Sequence, residues 1–78
     1  MRTKTPRVIV TFHTTAEAIA LEQACGQSGL DGRLISAPRS LSADCGIAWS
    51  APPELRNRIE RLLSDGGIEA AGIFEMAV

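Results

Sequence analysis

The sequence predicts an α+β two-layer sandwich: four strands in one antiparallel sheet, with two helices on one face. Three observations predict it. A β-branched run opens the chain, with Val8, Val10 and Phe12 alternating with Ile9, Thr11 and His13. Two segments carry apolar residues at helical spacing. Glycine or proline punctuates each junction, and the runs follow the order β-α-β-β-α-β.

Arg7 to His13 reads as the first strand. Thr14 to Gln27 reads as a helix, because Thr14 with Glu17 three places on has the form of a capping box. Ala18, Leu21 and Cys25 fall on one stripe, which Ala20 and Ala24 widen. Gly26, Gly29 and the Asp31-Gly32 pair end this helix. Arg33 to Ala37 is a short second strand, stopped by Pro38, which cannot donate to a ladder. Cys45 to Ser50 is the third strand, with Ile47 and Trp49 on the face of Cys45. If that face turned from the helices it would form an apolar patch needing a partner. Pro52 and Pro53 open a second helix, where their missing N–H groups cost little. Leu55, Ile59, Leu62 and Leu63 form its apolar stripe, and Gly66 and Gly67 stop it. Ile68 to Met76 is the last strand, with a bulge at Gly72.

This order suits the ferredoxin-like split βαβ arrangement. Right-handed crossovers then set the strand directions. The loop Pro38 to Asp44, the turn after His13 and the start of the first helix should share one edge of the sheet.

A chain of 78 residues reads as one domain, with Met1 to Pro6 frayed. Such a chain buries only roughly 60% of its unfolded surface. Its aromatics are Phe12, Trp49 and Phe74, so the core rests on aliphatic side chains, and pairing in a homodimer would help it. The net charge of −1, with no basic stripe, argues against nucleic acid. No apolar run approaches the ~20 residues of a membrane span. No signal peptide is visible. Two cysteines are too few for a secreted disulfide scaffold, so a cytoplasmic setting with free thiols is expected. One histidine and two cysteines show no paired metal-ligand spacing, and no phosphate loop suggests a cofactor.

The chemistry points to the stretch from Pro38 through Arg39, Ser40 and Asp44 to Cys45 and Gly46. Structural cysteines usually sit inside apolar segments, as Cys25 does on its helix stripe. Cys45 instead closes a polar loop. A helix start, Arg39 and protonated His13 would each favour its thiolate, while Asp44 would oppose it. Gly46 leaves the sulfur uncrowded and allows backbone angles closed to other residues. His13 reads either as a polar strand end or as a partner of the thiol. Arg39 reads either as an anion holder or as a solvent-exposed mate of Asp44. Ser40 and Ser42 have no His-Asp arrangement to activate them.

These residues also resemble a known family. Positions 10 to 15 (Val-Thr-Phe-His-Thr-Thr), Ala18, Glu22, Gly29, Gly32-Arg33-Leu34, Pro38-Arg39-Ser40 and Cys45-Gly46 are similar to small bacterial selenium/sulfur carrier-like proteins. The resemblance runs from about Arg7 to Glu75. It implies a thiol that receives and hands on sulfur or selenium between donor and acceptor proteins. By position Cys45 would be that thiol, with Pro38, Arg39 and Gly46 completing the motif. Cys45 is followed by Gly46-Ile47, so the Cys-Pro-x-Pro motif of established sulfur carriers is absent.

Two readings follow. The first is a carrier or redox-responsive protein acting through Cys45. The second is a small binding or assembly module, with an anion site at the Pro38-Arg39 loop and no thiol chemistry. A turnover enzyme comes third, because too few catalytic groups are present.

Overall fold

A computed structural model describes residues 5–38, 40–41 and 46–77. The elements are β1 (Pro6–Thr11), α1 (Thr15–Ser28), β2 (Arg33–Ser36), β3 (Ile47–Ala51), a short 3₁₀ turn (Pro53–Leu55), α2 (Arg56–Gly66) and β4 (Gly72–Ala77). The sheet order is β2-β3-β1-β4, and every neighbouring pair is antiparallel. The expected α+β two-layer architecture is present.

Register assigns the faces. Val8 pairs with Ala51 and Val10 with Trp49, so these four side chains share one face. Together with Phe12 they form one core with Ala18, Leu21 and Cys25 of α1 and Ile59 and Leu63 of α2. Full burial of one such side chain, Leu21 for example, contributes about 1.5–3 kcal/mol. Trp49 therefore points at the helices, and the third-strand face is core rather than an open patch. Its indole Nε1 is buried there with no hydrogen-bond partner among the described residues.

The other face of β1 is sealed as well. Ile9 and Thr11 are buried although they alternate away from the helices. Ile9 is flanked by Ser50 on β3 and Phe74 on β4. Arg7, on this same face, donates from Nε to Ser50 Oγ at 3.0 Å.

The caps explain the helix ends. Thr14 Oγ1 accepts the Glu17 amide at 3.4 Å, satisfying one free donor of α1. Gly29 ends α1 at φ +71° and Gly67 ends α2 at φ +65°, left-handed positions that favour glycine.

Four expected boundaries are corrected. β1 ends at Thr11, so His13 lies beyond the strand. Pro53 opens a 3₁₀ turn, and α2 itself starts at Arg56. β3 begins at Ile47, because the described Gly46 is a bend outside the ladder, and Cys45 lies outside the described residues. β4 begins at Gly72 rather than Ile68: Ile68 and Ala70 pack onto the core from a turn, and apolar residues in such a turn mimic a strand.

Candidate functional site

The end of the β1–β3 ladder brings His13, Gly46 and the start of the β2–β3 connection to one side of the sheet. Thr11 pairs with Ala48 on one side and with Gly72 on the other. His13 lies two residues beyond Thr11, and Gly46 lies two residues before Ala48, so both flank the same end of the β1–β3 ladder. Ser36 pairs with Ile47, which brings the β2–β3 connection to this edge.

A backbone hydrogen bond spans the neck of that connection. The Ala37 amide donates to the Gly46 carbonyl at 3.0 Å. Gly46 sits at φ +77°, the left-handed backbone that its sequence position suggested. Beyond the neck, the Leu41 amide donates to the Pro38 carbonyl at 2.9 Å, so the loop begins as a tight turn. Pro38 is half-buried, and Ser40 and Gly46 are exposed. Cys45, Arg39, Ser42 and Asp44 lie outside the described residues.

The start of α1 stands at the same edge and is already capped. The Thr14 hydroxyl donates to Glu17 Oε1 at 3.1 Å. Glu17 Oε2 accepts the Glu69 amide at 3.2 Å, tying α1 to the turn between α2 and β4. His13 is exposed beside this cap. The Glu17–Glu69 contact spans 52 residues of sequence, and no local pattern announces it. Sequence reading found Glu17 only as the capping-box acid.

Cys25 behaves as the stripe implied. It is fully buried, and burial pushes its thiol pKa up, away from the reactive thiolate. Among the described residues no three His, Cys, Asp or Glu side chains gather as metal ligands. A shallow groove of about 230 Å³, lined by Ser28, Leu30, Arg58, Arg61, Leu62 and Asp65, lies where α1 ends. It contains none of the predicted site residues. Among the described residues no helix is long and apolar enough to cross a membrane.

The family model described as "Putative Se/S carrier protein-like" matches residues 7–75, nearly the whole chain. The chain belongs to this carrier-like family. No curated protein and no solved structure matches the chain. Family membership agrees with the resemblance carried by the Pro38-Arg39-Ser40 and Cys45-Gly46 residues.

Proposed function

We propose that this member of the carrier-like family carries sulfur or selenium on Cys45. One observation carries the reading: Cys25 is sealed in the core with a raised pKa, which leaves Cys45 as the thiol for exchange. The loop context supports it. Cys45 immediately precedes Gly46, whose left-handed backbone and exposure mark the loop neck. The strand order β2-β3-β1-β4 supports reading the fold as ferredoxin-like, a scaffold that hosts many functions and so decides none.

The transfer step is an exchange at sulfur. The Cys45 thiolate attacks the terminal sulfur of a donor protein's persulfide. The new S–S bond forms on Cys45 as the donor's S–S bond breaks, and the donor leaves as a thiolate. The proton on the terminal sulfur travels with it, and no net oxidation occurs. Delivery to an acceptor is the reverse exchange, and a selenium cargo follows the same balance. The persulfide is a reversible cap.

Thiolate formation needs nearby positive charge. Glu17 already sets a carboxylate in the first turn of α1, offsetting the helix-start charge. The task therefore falls to Arg39 and to His13 when protonated.

Intact mass after incubation with a cysteine desulfurase and free cysteine tests the reading. The expected result is a gain of one sulfur atom in the wild type and in Cys25→Ala, and no gain in Cys45→Ser. A wild-type chain that takes up no sulfur overturns the carrier role and favours the binding-module alternative at the Pro38-Arg39 loop. Uptake that survives Cys45→Ser overturns the assignment of the thiol.

A further inference from the structure

The arginines of α2 differ in how they are used. Arg56 is engaged: its Nε donates to Glu60 at 2.9 Å, and its guanidinium also pairs with Glu75. Arg58 and Arg61 are exposed and make no hydrogen bond or ion pair with any described residue. Asp65 stands four residues after Arg61, the spacing at which Arg56 and Glu60 close, yet it too has no such partner among the described residues. These three charges line one groove of about 230 Å³, together with Ser28, Leu30 and Leu62. Leu30 and Leu62 are half-buried and packed against the core, so the core holds the apolar part of the lining in place. Arg58, Arg61, Leu62 and Asp65 fall at i, i+3, i+4 and i+7, which puts them on one face of α2.

We infer that this groove binds a free α-amino acid with an apolar side chain. The inference is independent of the thiol reading. Charge complementarity selects the ligand. A plain anion would meet Asp65 as a like charge, and a plain cation would meet two guanidiniums. A zwitterion suits all three. Its carboxylate accepts from Arg58 and Arg61, whose planar forks match carboxylate geometry. Its ammonium donates to the Asp65 carboxylate. Arg61 and Asp65 are separated by a rise of only about 6 Å along the helix, so both side chains can reach one small molecule. The ligand's side chain lies against Leu30 and Leu62 and takes apolar surface out of water.

Size and exposure set the strength. The groove is smaller than the ~300–1,000 Å³ pockets that hold drug-sized ligands, and it suits a ligand of one residue. Ion pairs at exposed positions contribute only a factor of about two to five each. Binding is accordingly weak, in the millimolar range. Ser28 closes α1 about 20 Å along the helix from its capped start, so this end of the groove lies apart from the start of α1, beside which His13 stands.

Backbone amide NMR shifts of the full chain, followed as free leucine is added to about 20 mM, test the inference. The expected result is saturable shifts centred on Ser28, Leu30 and the stretch from Arg58 to Asp65. Three analogues at matched ionic strength dissect the contacts. Leucinamide lacks the carboxylate, N-acetyl-leucine lacks the ammonium, and glycine lacks the apolar side chain. Each should bind about twofold or more weaker than leucine. The double variant Arg58→Gln, Arg61→Gln should weaken leucine binding about fivefold or more, and Asp65→Asn about twofold or more. All three positions are exposed, so the core is kept, and an otherwise unchanged spectrum verifies the fold of each variant. Absence of saturable shifts at the highest leucine concentration overturns the inference. So does N-acetyl-leucine binding as tightly as leucine, which would make the groove a plain anion site. Leucine binding undiminished in the double variant overturns it too, as does an acidic peptide that binds there when leucine does not.

Discussion

Gly32 stands against the indole of Trp49: a Cβ built on Gly32 would fall 2.5 Å from Trp49 Cζ2, at a backbone φ of +151°. Neither the close approach nor the dihedral suits another residue. Gly32→Ala should cost about 2–3 kcal/mol through overpacking and backbone strain. Urea unfolding followed by Trp49 emission measures it, since Trp49 is the only tryptophan. Gly26→Ala is the contrast. It lies inside α1 with nothing within 4 Å of the new methyl, and should be neutral or stabilising by about 0.5–1 kcal/mol. Equal losses in the two variants would contradict the packing at Gly32.

Cys25 should give the protein an alkaline weakness. Burial raises its pKa above the ordinary 9.0, so the folded chain keeps the thiol proton to higher pH than the unfolded chain does. Its contribution is complete below the unfolded value and is lost as pH rises through the raised one. Unfolding midpoints measured from pH 7 upward should therefore fall beyond about pH 9. Cys25→Ala should flatten that decline. An unchanged profile in Cys25→Ala would assign the weakness elsewhere.

The cap of α1 joins local and long-range order. Thr14→Ala removes the acceptor for the Glu17 amide and should cost about 1 kcal/mol. Glu17→Ala loses the Thr14 contact and also frees the Glu69 amide. Hydrogen exchange at Glu69 separates them: its protection should fall in Glu17→Ala and persist better in Thr14→Ala. Equal protection in Glu17→Ala and wild type would mean that the long-range contact does not order that turn.

Gly46→Ala tests the loop neck. Among the described residues no atom beyond its chain neighbours lies within 4 Å of the added methyl, so the expected cost is that of the left-handed dihedral, φ +77°. A loss of about 1–2 kcal/mol is expected. A much larger loss, measured by the same urea unfolding, would overturn the dihedral account.

Much of this architecture is legible in residue order. The Val8-Val10-Phe12 alternation gives the core face of β1, the Thr14-Glu17 pair marks the start of α1, and Gly29 and Gly67 mark helix ends. Local chemistry decides each of these, so a local pattern reveals them. The stretch from Ile68 to Ala70 is misread as strand because the side chains of Ile68 and Ala70 answer to the core rather than to a ladder. The orphaned Trp49 Nε1 and the reach of Glu17 to Glu69 belong to tertiary packing, which spacing alone does not encode. At the site, the edge shared by His13, Pro38 and Gly46 follows from topology, while Cys45 and Arg39 enter only through sequence and family.

The Ala37–Gly46 hydrogen bond has an evolutionary corollary. It fastens the hairpin below its tip, so the sheet does not depend on which amino acids the tip contains. Under the proposed carrier reading, substitutions or length changes beyond this neck would alter cargo preference and docking while the ladder below it is kept. If the proposed exchange at Cys45 holds, a tip grafted from a relative should carry that relative's exchange behaviour onto this framework.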